Sequence, residues 1–588
     1  MWPAHELGLQ RWCLQSGRVV ADHVAVTTAT PPAHAPLASP RAPWLFGPAW
    51  DLLFGCGLLY TLVFGVFLVA GAEIRGAQPL WVAALVTLLV GTPHYGATLV
   101  RVYERRRDRT SYVVFSLWAT LAVIGLFVAG LWLPAAGAFL VTLYLTWSPW
   151  HYTGQNYGLA VMFLRRGGVP LDPGLKRWLY LSFLLSFLLV FIGMHAAEHR
   201  ASDVPAGYDS LGVGFHALGI PLAWAKGLGG VVFAAYVFAL ARCVWGFRRA
   251  PGRVLLPVAL LSLSQVLWFS LPFALQLFGF VPGLDVLSFE FRTYYFLWIA
   301  AAHSLQYLWV TSYYARQAGN WRGQLPNYLR VFTAGAAAWT LPALLFGPHA
   351  LGPLPFDHGL GILIAAAVNV HHFILDGAIW KLRGRIAEVL IRSGSDAPDD
   401  ERGRLPLLRP LVWGACAALL VVNVLAVVGD QWFVRDVETK AYQRAGRTAD
   451  WLGWAGRERA SWRLEYGQRL LRDRHFSAAR EQFRRAEALA PNASARVLIG
   501  MTYEAQQDWR QAAEAYEAAL AGAGAGAERA ATLGRAGRAW LGAGEPSRAL
   551  PLLEQALAQS PDDASLKALI DRARESAAPE RESAQSRS

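Results

Sequence analysis

Long apolar stretches, separated by short polar loops, dominate the chain from about residue 45 to residue 430. A helix needs about 20 mostly apolar residues to cross a bilayer, and only helices or closed barrels satisfy every backbone hydrogen bond in lipid. The sequence therefore predicts an all-α membrane domain with about eleven transmembrane helices. Their centres fall near Leu59, Leu88, Ile124, Leu145, Leu185, Phe233, Leu267, Ala300, Ala338, Ala366 and Leu419.

The charge content supports this class of protein. Only 16% of the 588 residues are charged, whereas soluble domains average roughly 25%. The formal net charge is +13, but in the apolar region the cations cluster in short loops between apolar stretches. That pattern indicates membrane orientation and not nucleic-acid binding. The four cysteines form no CxxC pair and predict neither a disulfide framework nor a zinc site.

The loops between the expected spans alternate in charge, which predicts their orientation. Basic loops lie at 101–109, 165–177, 247–253, 316–330 and 381–385, and the intervening loops are poor in Lys and Arg. Because short basic loops remain on the cytoplasmic side, we expect an integral protein of a bacterial-type inner membrane with a cytoplasmic N-terminus. An odd number of spans then places the C-terminal region outside the cytoplasm.

Five histidines lie inside these apolar stretches: His94, His151, His303, His371 and His372. An ionisable side chain within a membrane is costly unless it is paired, hydrated or bound to a metal, so it indicates a functional site. They occur on the second, fourth, eighth and tenth expected spans, which all run from outside to inside. Each histidine precedes its basic boundary by a similar length, roughly 10 to 20 Å at about 1.5 Å per residue. The sequence therefore predicts a histidine cluster in the cytoplasmic half of the bilayer.

Polar neighbours strengthen the prediction. Asp376 follows His372 by four residues, on the same helix face, where a carboxylate can orient a metal-ligating imidazole or bind the metal itself. His371 points about 100° away from His372, so we expect one of the pair to bind a metal and the other to form a hydrogen bond. Gln155 and Gln306 follow histidines by four and three residues, and we expect them to orient ligands or substrate.

Nitrogen and oxygen ligands without thiolates suit Fe(II), Zn(II) or Mn(II), and the carboxylate favours non-haem iron. Haem bound by paired histidines is a competing interpretation. No GxGxxG or GxxxxGK[ST] phosphate loop is present, so no nucleotide cofactor is expected. The structural alternative is that these polar groups only hold helices together. A proton relay in a transporter is a further alternative.

The C-terminal region repeats with a spacing of about 34 residues. The recurring positions are Gly467, Leu470, Ala479, Phe483, Ala486 and Pro491, then Gly500, Tyr503, Ala512, Tyr516, Ala519 and Gly524, then Gly537, Trp540, Ala549, Leu553, Ala556 and Pro561. This pattern resembles the tetratricopeptide repeat family. The resemblance implies a short α-solenoid that binds a peptide or protein partner.

The sequence thus divides into five expected segments. They are a disordered cytoplasmic tail at 1–43, the membrane domain at 44–430, a linker at 431–459, the repeats at 460–574 and a disordered tail at 575–588.

Two short phrases, Gly-Thr-Pro-His94 and Trp-Ser-Pro-Trp-His151, resemble the bacterial polytopic membrane dioxygenases that cleave carotene. The resemblance covers these phrases alone and implies iron bound by intramembrane histidines. The leading hypothesis is a metal-dependent oxidoreductase that modifies an apolar lipid or isoprenoid and carries a protein-binding repeat domain. A membrane-anchored scaffold without catalysis is the alternative, and a proton-coupled transporter is the third possibility.

Overall fold

The computed structural model describes residues 43–63, 65–66, 80–103, 112–196, 213–279, 297–317, 321–382, 384–392, 408–491, 493–522 and 527–585. Within these ranges the protein is helical, and the only β-type pairing is a single bridge between Ala196 and Ile220. The predicted all-α fold is confirmed for this part of the chain. The expected N-terminal tail lies outside the described residues, apart from its last position.

Ten long helices form the first part of the described chain. They are α1 (Trp81–Tyr103), α2 (Val114–Trp132), α3 (Pro134–Arg166), α4 (Pro173–Met194), α5 (Leu222–Phe247), α6 (Gly252–Phe278), α7 (Leu297–Gln317), α8 (Gln324–Phe346), α9 (Leu360–Ile379) and α10 (Leu408–Glu438). Shorter helical segments are Pro48–Trp50, Asp51–Gly55, Phe356–His358 and Gly384–Leu390. A π-helical turn, Thr87–Gly91, interrupts α1.

Eight of these ten helices are long and apolar enough to cross a membrane, and each contains the centre of a span expected from the sequence. The other two, α3 and α7, have 33 and 21 residues and also contain expected centres. They are the helices that carry His151 with Gln155 and His303 with Gln306, and these polar side chains lower their apolar content. The expected span near Leu59 lies only partly within the described residues.

The outward faces of the long helices are apolar. Trp118 on α2 is 63% exposed, Val231 on α5 is 68% exposed and Leu411 on α10 is 69% exposed. Large apolar side chains in such numbers on a surface mark contact with lipid or another apolar partner. Together with the eight apolar helices, these faces indicate a membrane protein.

Helices α1 and α8 cross with their backbones in direct contact. A Cβ atom at Gly96 would lie 1.7 Å from the carbonyl oxygen of Val331, and one at Gly335 would lie 1.9 Å from that of Thr92. Small residues allow such a close approach between membrane helices. Since His94 is two residues from Gly96, this crossing fixes the position of His94 relative to α8.

Replacing either glycine of this crossing should force the two helices apart. We expect Gly96→Ala or Gly335→Ala to destabilise the protein by about 3 kcal/mol, because backbone atoms cannot move aside as a flexible side chain can. Gly154→Ala on α3 is the matched control, since no atom of the described residues outside the neighbouring backbone of its own helix lies within 4 Å of its added Cβ. It should leave stability unchanged or raise it by up to about 1 kcal/mol. Thermal unfolding in one detergent compares the three, and equal midpoints would contradict the packing argument.

The second part of the described chain consists of shorter helices. They are α11 (Tyr442–Trp454), α12 (Ala460–Arg472), α13 (Phe476–Leu489), α14 (Ala493–Ala505), α15 (Trp509–Leu520), α16 (Ala527–Gly542), α17 (Pro546–Gln559) and α18 (Ala564–Gln585). Residues 431–459, expected as a linker, are mostly helical, and the last helix continues beyond the expected start of the C-terminal tail.

Successive pairs of these helices pack by the same contact. The Cβ position of Gly467 lies 2.5 Å from the ring of Phe483, and that of Gly500 lies 2.5 Å from the ring of Tyr516. In the third pair, Leu553 occupies the equivalent place against Gly537 at 2.6 Å. Each large side chain follows its glycine by 16 residues, so the small and large positions recognised in the sequence face each other across each pair.

A carboxylate in the loop before α9 joins the two parts of the chain. Asp357 accepts hydrogen bonds from the backbone N–H groups of Ala460, at 3.1 Å, and Ser461, at 2.9 Å, and from the Ser461 hydroxyl at 2.5 Å. These two N–H groups begin α12, so Asp357 caps that helix from another part of the chain. A negative charge there also complements the helix dipole. Beside it, the N–H of Phe356 donates to the carbonyl of Glu458 at 2.9 Å.

Removing the Asp357 charge should loosen this junction. Burial raises the pKa of Asp357, but hydrogen bonds from His358 and Ser461 outweigh it and hold the pKa below its usual value. The carboxylate therefore stabilises the folded junction above the ordinary pKa of about 3.9, and the stabilisation is lost as the pH falls below that value. We expect Asp357→Asn to cost about 1–2 kcal/mol at neutral pH, because the amide removes the negative charge and one of the two acceptor oxygens.

Hydrogen exchange measures this effect locally. In the Asp357→Asn variant the amides at 460–461 should exchange faster. The matched control is Asp563→Asn, because Asp563 accepts from the backbone N–H groups of Ser565 and Leu566 at the start of its own helix. That variant should accelerate exchange only near residue 565. Unchanged exchange at 460–461 in Asp357→Asn would show that the carboxylate does not hold the junction.

Candidate metal centre

Four imidazoles from four of the ten long helices converge inside the first part of the described chain. They belong to His94 on α1, His151 on α3, His303 on α7 and His372 on α9, and one nitrogen atom from each lies within 4.8 Å of the others. His94, His303 and His372 are at most 2% exposed, and the His151 side chain is 10% exposed. The sequence pattern predicted that these histidines lie at similar depth, and the structure brings them to one point.

The spacing of the imidazoles is close to that of a coordination sphere. The Nε2 atoms of His94 and His303 are 3.1 Å apart. Metal–nitrogen bonds of about 2.0–2.1 Å place neighbouring ligand atoms roughly 3.0–3.4 Å apart and opposite ones about 4.2 Å apart. The Nε2 atoms of His151 and His372 are buried and have no hydrogen-bond partner in the described chain. Buried polar atoms without partners require an explanation, and a shared cation provides one.

Asp376 borders the cluster on one side. Its Oδ2 atom lies 3.3 Å from Nε2 of His372 and 3.8 Å from Nε2 of His151. Its Oδ1 atom accepts a hydrogen bond from the Thr98 hydroxyl at 2.9 Å and another from the Tyr307 hydroxyl at 2.7 Å. One carboxylate oxygen is thus held by neighbouring helices, and the other faces the imidazoles.

These hydrogen bonds favour one tautomer of His372. The Thr98 oxygen lies 2.9 Å from Oδ1 of Asp376, 2.6 Å from the Tyr307 hydroxyl and 2.9 Å from Nδ1 of His372. When Thr98 donates its single proton to the Asp376 carboxylate, Nδ1 of His372 is the donor in its 2.9 Å contact with the Thr98 oxygen. A neutral imidazole that carries its proton on Nδ1 has its lone pair on Nε2. His372 is thereby prepared to bind a cation through Nε2.

The two glutamines expected at the site lie beside the cluster. The Gln155 amide donates to the backbone carbonyl of His303 at 3.1 Å and to Oε1 of Gln306 at 3.0 Å. Gln306 is completely buried. The pair therefore joins α3 to α7 next to His303 and contacts its backbone. The role in orienting ligands that the sequence predicts for them would act through that backbone contact.

His371 lies apart from the other four histidines. Its Nε2 atom is 3.1 Å from the Tyr103 hydroxyl and 2.9 Å from the Thr120 hydroxyl. It points toward α2, as its 100° offset from His372 requires. Of the adjacent pair, His372 is the one that joins the cluster, and His371 is the one that forms hydrogen bonds between helices.

Sequence reasoning missed Thr98 and Tyr307 as members of the site. Both follow a cluster histidine by four residues, as Asp376 follows His372 and Gln155 follows His151. Residues four apart share a helix face. The position one helical turn after each histidine was therefore the feature of the sequence that could have identified these two residues. Thr98 and Tyr307 resemble ordinary interfacial residues, and only the structure shows that they meet at one carboxylate oxygen.

Comparisons of the chain with protein-family models, with curated proteins and with solved structures gave no significant match.

Thr98→Val tests the hydrogen-bond geometry without reference to a metal. Valine has nearly the same shape but leaves Nδ1 of His372 without its hydrogen-bond partner and removes one donor from Asp376. We expect a loss of about 1–3 kcal/mol in stability, the usual cost of an unsatisfied buried polar group. Thr333→Val on α8 is the control, because its hydroxyl is exposed and bonds only to its own helix, at Leu329. If both variants unfold at the same temperature, Thr98 does not have this role.

Proposed function

We propose that this protein is a polytopic membrane enzyme that binds one divalent transition metal through His94, His151, His303 and His372. The observation that carries the proposal is the convergence of four imidazoles, three of them buried, in which the Nε2 atoms of His151 and His372 have no hydrogen-bond partner among the described residues. Four neutral nitrogen donors next to one carboxylate suit Fe(II), Zn(II) or Mn(II), and the carboxylate favours iron. Asp376 would serve as a further ligand or as the base that orients His372.

The proposed reaction class is oxidation of an apolar lipid or isoprenoid, with dioxygen as the oxidant. When bound, the metal would supply oxygen activation or polarise a substrate group. The chain's own contribution is a dry, rigid site. Asp376 can hold a proton at Oδ2, and the Thr98 hydroxyl keeps the lone pair of His372 directed at the centre. The resemblance of two phrases to carotene-cleaving dioxygenases supports the same class of chemistry.

The wall next to the most accessible histidine favours an apolar substrate. The His151 ring stacks on Phe373 with their centres 4.4 Å apart, and Trp147 lies 6.1 Å from the same phenyl ring. The Tyr152 ring also borders the cluster, with its centre 4.4 Å from that of His303. Aromatic walls of this kind bind hydrocarbon groups and exclude water.

The membrane topology expected from the loop charges gives the location of the proposed site. Eleven spans with basic loops on the cytoplasmic side would place the cluster in the cytoplasmic half of the membrane and the C-terminal helices outside.

The repeated contact of a small residue with a large one supports assignment of the C-terminal helices to the tetratricopeptide class. They would bind a protein or peptide partner. A membrane-anchored scaffold is the second candidate function, and the same repeated helix pairs favour it.

Metal content of the detergent-purified protein tests the proposal. We expect about one iron, zinc or manganese ion per chain, because four histidines form one site. His372→Ala should lose it, since a ligand and its hydrogen-bonded support disappear together. His371→Ala, one residue away, should retain it. Metal absent from the wild type, or equal in all three proteins, would remove the metal-enzyme proposal and leave the scaffold.

A further inference from the structure

An arginine lies between two aromatic rings near the histidine cluster. The central carbon of the Arg101 guanidinium is 4.0 Å from the centre of the Tyr314 ring and 4.1 Å from that of the Trp380 ring. Stacking against aromatic faces holds the planar cation in place. It leaves the N–H groups at the edge of the plane available for hydrogen bonds.

Two of these groups have no hydrogen-bond partner among the described residues. Nε and Nη1 of Arg101 are buried, and no atom of the described residues accepts a hydrogen bond from them. No carboxylate of the described residues forms an ion pair with Arg101 within 4.0 Å. The charge of Asp376 acts on it from a longer distance, but the Oδ1 atom of Asp376 is already occupied by Thr98 and Tyr307. A guanidinium always carries its charge and five donors, and a buried charge is normally paired.

The position of Arg101 relates it to the metal centre. His94, Thr98 and Arg101 occupy positions 0, 4 and 7 along α1, so they share one face, and Arg101 is about 10 Å from His94 along the helix. Trp380 donates from Nε1 to the Tyr307 hydroxyl at 3.0 Å, which in turn donates to Asp376. The unpaired cation is therefore separated from the cluster by one layer of hydrogen-bonded side chains.

Further positive charge lies at the same end of the helices. Lys381 follows Trp380 and is exposed. Arg165 at the end of α3 donates to the carbonyl of Leu382 at 3.3 Å. These cations would attract an anion toward Arg101.

We propose that Arg101 binds the acidic group of an amphiphilic substrate whose apolar part lies at the histidine cluster. The substrate class is then a hydrocarbon chain that ends in a phosphate or carboxylate, and not a neutral hydrocarbon. An arginine fork matches the geometry of both oxyanions. This inference rests on the proposed function, because it assigns the substrate of the same site. A free phosphate ion offers the same chemistry and is distinguished by the experiment.

The experiment measures binding of dodecyl phosphate to the full-length protein in a neutral detergent by calorimetry. Dodecanol, with the same tail, and inorganic phosphate, with the same charge type, are titrated in parallel. The variants are Arg101→Gln and Arg101→Lys. Arg248→Gln is the matched control, because Arg248 also stacks on an aromatic ring, that of Trp245, with a 4.0 Å separation, but is exposed directly after the end of α5.

We expect the wild type and Arg248→Gln to bind dodecyl phosphate alike and Arg101→Gln to bind it at least about tenfold more weakly, the effect of losing charge-assisted hydrogen bonds. Dodecanol should bind all three proteins equally. Arg101→Lys retains the charge but not the planar fork, so it should bind dodecyl phosphate more weakly than the wild type. If Arg101→Gln does not fold, the dodecyl phosphate affinity of Arg101→Lys relative to the wild type tests the proposal.

Equal dodecyl phosphate affinity in the wild type and the folded Arg101 variants would overturn the proposal. Inorganic phosphate binding as tightly as dodecyl phosphate would overturn the assignment to an amphiphile and identify a free oxyanion as the ligand. Metal content measured in the same samples separates the two proposals. Arg101-dependent binding to a protein without metal would count against the metal enzyme alone. Metal retained without dodecyl phosphate binding would count against the anion site alone.

Discussion

One carboxylate oxygen joins three of the four histidine helices. Oδ1 of Asp376 on α9 accepts from Thr98 on α1 and from Tyr307 on α7, and its partner oxygen faces His151 on α3. In a low-dielectric interior such hydrogen bonds are strong, and leaving one unmade is costly. The three helices are therefore held in the register that brings their imidazoles together. The hydrogen bond of Thr98 to His372 and that of Trp380 to Tyr307, which form the layer between Arg101 and the cluster, both depend on this contact.

Much of the membrane part could be predicted because its governing signals are local. Apolar length located eight helices that have the properties of membrane spans, and the positions of His94, His151, His303 and His372 relative to the basic loops placed them at one depth. The polar character of α3 and α7 made those two the least apolar of the set, since the residues that build the site also reduce the apolar signal of the helices carrying them.

Contacts between distant helices could not be predicted in the same way. Helical periodicity showed that His371 and His372 face different directions, but it could not say which one faces His94. The choice depends on where α2 and α1 pack against α9, and thus on Thr120, Tyr103 and Thr98. The direction of Arg101 is likewise set by Tyr314 and Trp380, which are more than 200 residues away in the sequence.

The contact between α1 and α8 also bears on how proteins of this architecture can be recognised. At Gly96 and Gly335 there is no space for any side chain atom, so a distant relative that keeps this crossing is expected to keep glycine at both places, however far the lipid-facing residues diverge. Combined with a histidine two residues before the first glycine, and with the spacing of His372 and Asp376, this gives a sparse sequence signature. Such a pattern depends on packing and hydrogen bonding alone, and it would survive where overall similarity has been lost.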